Sequence, residues 1–226
     1  MKDILKIKEI TYGEFPEISD LNPRFKPGSR KVKMVLDIQL PTVSGDMGLS
    51  MILLKLMKLL PTLEKHQCGE HLFDCLKSDT KGHQLSHPDK VTDIAHLIEH
   101  VIIDLQARVT GMDSCSGITC GYKNPYNRFD LFVECKDKKV GLFSAFFTVD
   151  LFGNLLTRKD LSKTYPALID LAKYLYRNKL LQEQIGFDPM VSRISSELGW
   201  KKSFILSLLR KLKQFGLFNY EPVLAN

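Results

Sequence analysis

Between residues 94 and 105 the apolar side chains fall at Ile94, Leu97, Ile98, Val101, Ile102 and Leu105. That rhythm of 3.6 predicts an amphipathic helix, with Thr92 or Asp93 as its N-cap and Gly111 at its end. Upstream, "KVKMVLDIQL" (31–40) sets Val32, Met34 and Leu36 against Lys33 and Val35, a period of two that predicts a strand. Residues 48–60 repeat Met51, Leu54 and Met57 with Leu53, Leu56 and Leu60, which predicts a helix stopped by Pro61. A short helix is expected near 70–77, and a loop over 81–90. "DSCSGITCGYKNPYN" (113–127) reads as a glycine- and turn-rich loop, and "NPRFKPGSR" (22–30) as another. Phe129, Leu131 and Val133 alternate with Asp130, Phe132 and Glu134, predicting a second strand. Residues 138–156 suggest a partner strand followed by a helix.

The pattern changes after residue 156. "YPALIDLAKYLYRNKLL" predicts a helix with Pro166 in its first turn. "PMVSRISSELGWKKSFILSLLRKLKQFGLF" predicts a helix, a tight turn at Gly199, a longer helix and a stop at Gly216. Val191, Ile194 and Leu198 form one apolar face, and Ile205, Leu208, Leu209 and Leu212 the next. This is the rhythm of a winged helix-turn-helix, with "GLFNYEPVL" as a wing strand. The expected class is α+β, with one domain over 1–156 and a small winged-helix-like domain over 157–226.

Charge supports that division. Residues 157–226 hold 12 Lys+Arg against 6 Asp+Glu, whereas residues 1–156 hold 20 of each, so the net charge of +6 belongs to the last third. A basic segment favours an anionic partner without naming it. The N-terminus, "MKDILKIKEI", interleaves charges with apolar residues and does not read as a signal peptide, and the stretch "MGLSMILLKLMKLL" is broken by lysines. Five cysteines, an odd number without a CxxC pair, argue for reduced thiols rather than a disulfide framework. A cytoplasmic protein with no membrane segment is expected.

Every His and every Cys lies between residues 66 and 135. Within that window His96, Glu99 and His100 stand in the order His-x-x-Glu-His, the order of the inverted zincins. On a helix, positions i, i+3 and i+4 share one face. Two imidazoles one turn apart can reach a single Zn²⁺, and Glu99 between them is placed as a general base. A catalytic zinc site has a third protein ligand. Glu134, at a strand end, is the first candidate; His66 is the second and Cys68 the third. Asp104 is spaced to orient His100, and Asp93 to orient His96, as carboxylates commonly do for metal-bound imidazoles. Against this stands the plainer reading of two solvated histidines on one helix face. Cys115 and Ser116 lack a strand–turn–helix elbow and read as turn residues. No phosphate loop or dinucleotide fingerprint is present.

Four stretches together resemble the N-terminal domain of cyanophycin synthetases: "LLPTLEKHQC" (59–68), "IAHLIEHVIIDLQ" (94–106), "TGMDSCSGITCGY" (110–122) and "RFDLFVEC" (128–135). Their order and spacing fit that family across roughly 35–155. The resemblance places His96, Glu99 and His100 on the family's His-x-x-Glu-His positions, His66 and Cys68 on its His-x-Cys pair, and Asp104 on its helix acid. It implies a metal-dependent, peptidase-like site that hydrolyses a peptide or isopeptide bond in an Asp/Arg-type polymer. Two departures stand out. The family's glycine before the first motif histidine is Ala95, and its "GRTR" reads "GITC" at 117–120, so both arginines are missing. The 226 residues leave no room for the ATP-grasp and ligase domains, so a free-standing relative of one domain is expected.

Two functions from different classes follow. One is a zinc-dependent peptidase or amidase, with Glu99 as the base. The other is an inactive peptidase-like regulator that binds nucleic acid through residues 190–216, with Lys201, Lys202, Arg210 and Lys211 meeting phosphates and base edges.

Overall fold

The computed structural model describes residues 4–26, 28–40, 49–63, 88–112, 115–157, 164–181 and 187–218. Strands β1 (Leu5–Gly13) and β2 (Lys31–Ile38) come first, separated by a 3-10 turn at Pro16–Ile18. Helices α1 (Leu49–Leu59) and α2 (Pro88–Thr110) precede strands β3 (Gly117–Gly121) and β4 (Arg128–Glu134). Four helices follow: α3 (Lys138–Leu156), α4 (Thr164–Arg177), α5 (Phe187–Leu198) and α6 (Lys202–Gln214). The class is α+β.

The four strands form one antiparallel sheet in the order β1-β2-β4-β3. Alternation along β2 and β4 decides which face is covered. Val32, Met34, Leu36, Phe129, Leu131 and Val133 point to one side, where α2 and α3 pack, and all six are buried. Each such side chain contributes roughly 1.5–3 kcal/mol by leaving water. Lys33, Asp130 and Phe132 point to the other side, where Phe132 joins Ile18 and Phe25 in a small second cluster. The main core runs without a break from the sheet through α2, α3 and α4 to Leu208, Leu209 and Leu212 of α6. Phe147 joins these layers, touching Phe143, Tyr165 and Phe215 with ring centroids 5.4–5.9 Å away.

Several elements differ from the sequence expectation. The first ten residues hide β1, whose alternation "LKIKEITYG" is interrupted by a bulge between Ile7 and Glu9. α2 begins at Pro88, so residues 88–90 are helical, and Thr92 and Asp93 lie inside the helix instead of capping it. Proline is well suited to a first turn, where its missing N–H has no partner to lose. Part of the expected loop at 113–127 is strand β3, in which strand-favouring Ile118 and Thr119 are bounded by glycines and held by pairing to β4. Residues 138–156 are one helix with no strand before it. Asp137 ends the option of a strand by capping the backbone N–H groups of Lys139 and Val140 at 2.8 and 3.1 Å.

That helix, α3, is long and apolar enough by length and composition to cross a membrane. Its buried face, including Phe143, Phe147, Leu151 and Phe152, packs inside the molecule. The C-terminal helices match the expected rhythm, and Gly199 and Gly216 adopt φ of +67° and +77°, the left-handed conformation that ends a helix. Most of the expected wing strand lies outside the described residues. Residues 215–218 form a turn, and residues 219–226 lie outside the described residues, as do the helix expected at 70–77, His66 and Cys68.

Candidate metal centre

α2 passes through the middle of the core, and its spacing sets His96, Glu99 and His100 on one face. Glu99 and His100 are buried, and His96 is half-buried. The Nε2 atoms of His96 and His100 are 3.2 Å apart, and the rings are 4.8 Å apart between centroids. One ligand atom from each of the three residues lies within 4.8 Å of the others.

The spacing of the two nitrogens is informative. Two imidazoles bound to one tetrahedral zinc through bonds of about 2.0–2.1 Å hold their nitrogens about 3.3 Å apart. The spacing is compatible with a shared cation and is also that of a hydrogen bond between the two rings; imidazole suits zinc, copper, iron and nickel alike. Burial holds His96 below its ordinary pKa, in the neutral form a metal requires.

Glu99 is fixed from the sheet. Thr119 of β3 donates its hydroxyl to Glu99 Oε2 at 2.6 Å. Two residues earlier Gly117 lies flat against the same carboxyl: a Cβ at that position would be 2.6 Å from Oε1. Burial pushes the Glu99 carboxyl up to about 7, and the Thr119 hydrogen bond opposes that rise. A carboxyl of this kind both accepts and returns a proton near neutrality.

Glu134 is not brought to this group. Its Oε1 accepts from the Lys26 N–H at 2.8 Å and the Ser29 hydroxyl at 2.7 Å, and its Oε2 from the Ser116 N–H at 3.2 Å. Lys31 faces it across the β2–β4 ladder. The Lys31 ammonium is buried and donates to the Ser29 carbonyl at 2.8 Å and hydroxyl at 3.0 Å, so Ser29 bridges the two charges. Glu134 thus ties the 24–29 loop to the start of β3.

Asp104 is fully buried one turn beyond His100, and Asp93 is half-buried one turn before His96. His66 and Cys68 lie outside the described residues. The described thiols are poor ligands and nucleophiles. Burial pushes Cys135 up to about 12 and Cys115 higher still, and Cys115 donates to the Glu134 carbonyl.

Of the basic residues, Lys201 and Lys202 are exposed at the start of α6, and Arg210 is exposed further along it. Lys211 is half-buried. Its ammonium lies 3.8 Å from the Asp150 carboxylate and over the rings of Tyr165 and Phe215.

Thr119 and Gly117 were not singled out by sequence reasoning. The signal was present in "GITC", which keeps the glycine and the threonine of the resembled "GRTR". The missing arginines fall at Ile118 and Cys120, which point to the opposite face of the strand, where Ile118 packs against the second cluster.

No curated protein sequence matches the chain closely enough to count as a relative. The family model of the cyanophycin synthase-like N-terminal domain matches residues 31–157, from the first residue of β2 to one residue past α3. More than half of the chain, including the whole of the His96–Glu99–His100 centre, is therefore covered, and the chain belongs to the cyanophycin synthase-like N-terminal domain family.

Proposed function

We propose that the protein is a zinc-dependent hydrolase of peptide or isopeptide bonds, acting on an Asp/Arg polymer of the cyanophycin type. The observation that carries this reading is the pair of imidazole nitrogens 3.2 Å apart with the buried Glu99 carboxyl beside them. His96 and His100 would hold the ion. When bound, zinc supplies a Lewis acid that polarises a carbonyl and eases ionisation of water.

The chain's own groups do the rest. Glu99 takes a proton from the attacking water and delivers it to the departing nitrogen. Thr119 fixes which carboxyl oxygen is committed to the sheet, leaving the other for proton transfer. Glu99 and His100 are buried, and polar contacts among buried groups are stronger than they would be in water.

The test is elemental analysis of the wild type and His96→Ala, paired with hydrolysis of the Asp/Arg polymer. About one zinc per chain is expected in the wild type and none in the variant, with chelator-sensitive release of product. A wild type that neither retains nor regains metal would overturn the reading.

A second reading is supported by the exposed Lys201, Lys202 and Arg210 on α6 and the +6 balance of the last third. In it the chain binds nucleic acid through residues 190–216. Binding to duplex DNA that weakens with salt and with Lys201→Ala/Lys202→Ala would support it. Absence of binding at low salt would remove it.

A further inference from the structure

The two edges of the sheet are built differently. The β1 edge carries Lys6, Lys8 and Glu9 and a bulge between Ile7 and Glu9. Charges and bulges are the usual devices that stop another strand from pairing. The β3 edge, "GITCG", has no charge, no proline and no break in register.

Hydrogen bonds at the two ends of β3 settle which residues face outward. Glu134 N donates to the Ser116 carbonyl at 2.9 Å, and Tyr122 N donates to the Arg128 carbonyl at 3.0 Å. Between them the register runs unbroken from Gly117↔Val133 to Gly121↔Phe129. In an antiparallel ladder, alternate residues direct both backbone groups to the partner and the others direct both away. Ser116, Ile118, Cys120 and Tyr122 therefore face β4. Gly117, Thr119 and Gly121 face outward. Asn22 corroborates this parity, because its side-chain amide donates to the Gly117 carbonyl at 2.8 Å. Among the described residues, nothing pairs with the outward N–H and C=O groups of Thr119 and Gly121.

We propose that this edge binds the backbone of an extended polypeptide substrate as a fifth strand, and that Thr119 is the register point at which the chain is presented to Glu99. The proposal rests on the hydrolase reading above. Donor and acceptor groups repeating about every 6.8 Å along a strand match another extended peptide backbone and little else. Thr119 joins the two halves of the site: its backbone faces the incoming chain while its hydroxyl holds the Glu99 carboxyl. A strand added here lies about 4.8 Å from β3, so the residue paired with Thr119 sits beside the His96–Glu99–His100 centre. Gly117 and Gly121 flank the threonine and present no side chain of their own, so Glu99 and Phe129 come directly against the strand on its α2 side. Affinity then comes from the main chain.

The test is backbone amide exchange by NMR on ¹⁵N-labelled, zinc-loaded Glu99→Gln, with and without a short capped Asp/Arg oligomer. In the free protein the Thr119 and Gly121 amides should exchange at least about tenfold faster than those of Ile118 and Cys120. Bound oligomer should slow Thr119 and Gly121 by about tenfold and leave Ile118 and Cys120 unchanged. Oligomers N-methylated at alternate backbone nitrogens should lose about tenfold in affinity for one alternate set and little for the other. As a second variant, Gly121→Pro removes an outward donor without removing a β3–β4 bond. It should weaken oligomer binding with no change in zinc content. Protection of Thr119 and Gly121 without hydrolysis by the wild type would keep this edge as a binding site and remove the hydrolase reading. Hydrolysis by the wild type with no change at these two amides would overturn the edge and leave the hydrolase reading standing. An oligomer that does not bind at millimolar concentration would overturn the edge as well.

Discussion

Thr119 Oγ1 donates to Glu99 Oε2 at 2.6 Å and so links the edge strand of the sheet to the centre of the longest helix. The bond orients the carboxyl, and it also lowers a pKa that burial raises. Removing it by Thr119→Val should leave zinc content at the wild-type value, because neither imidazole is touched. Hydrolysis should fall by about a hundredfold, the size of effect that a misplacement of about 1 Å can have. The acid limb of the pH–rate profile should move upward, since the lost bond favoured the ionised form. Thr119→Ser should restore both rate and profile. A Thr119→Val protein that loses its zinc would show that the hydroxyl supports the metal rather than the base.

Gly117 has a different task at the same carboxyl. A methyl group there would sit 2.6 Å from Oε1 and 2.9 Å from Cδ of Glu99, closer than non-bonded atoms tolerate. Gly117→Ala should therefore push the carboxyl off its position or bow β3 away from α2. A cost of about 1–3 kcal/mol in unfolding free energy is expected, as for other overpacked sites. Activity should fall more than for Thr119→Val, because the displaced carboxyl also loses the hydroxyl. Chemical denaturation and initial rates on the same preparations check both parts. Full activity in Gly117→Ala would mean that the carboxyl does not need this seat.

Much of this arrangement was legible in the sequence, and the rest was masked locally or depended on distant residues. Helix α2 announced itself twice, through its apolar rhythm and through three polar residues on one face. β2 and β4 were readable because both alternate cleanly over a buried face. β3 was not, because "GITCG" is short, bounded by glycines and set in a turn-rich stretch that masks the strand preference of Ile118 and Thr119. Thr119 went unnoticed because its partner, Glu99, is 20 residues away, and nothing local connects them. Glu134 misled in the opposite direction. A buried acid at a strand end suits a metal ligand, but it suits equally the tying of a loop, and the three donors from the 24–29 loop and Ser116 lie far from Glu134 in sequence.

Burial of Glu99 has a consequence for stability that can be read without substrate. Its folded pKa is about 7, against an ordinary 4.5. Between those values the folded protein holds a proton that the unfolded chain has released, so stability falls as pH rises. The contribution of this group is fully present below about pH 4.5 and is lost as pH climbs through about 7, at roughly 1.4 kcal/mol per pH unit at most. Melting of the chelated protein should show this decline, and Glu99→Gln should flatten it. Adding zinc should oppose it, because a nearby cation favours the carboxylate. Equal slopes in Glu99→Gln and wild type would assign the pH dependence elsewhere.

Glu134 and Lys31 supply the sharpest separation between a ligand and a structural acid. Three donors hold the Glu134 carboxylate, and Ser29 relays it to the buried Lys31 ammonium. Glu134→Gln keeps the shape and removes the charge that the Lys26 N–H, the Ser29 hydroxyl and the Ser116 N–H hold. Hydrogen bonds to a charged group are worth roughly 1.5–3 kcal/mol each. Glu134→Gln should therefore lower the melting temperature. It should retain one zinc per chain, since the carboxylate is engaged by the 24–29 loop rather than by the histidines. If Glu134→Gln instead loses zinc at unchanged stability, the acid reaches the metal when the ion is bound, and the loop contacts are its resting position.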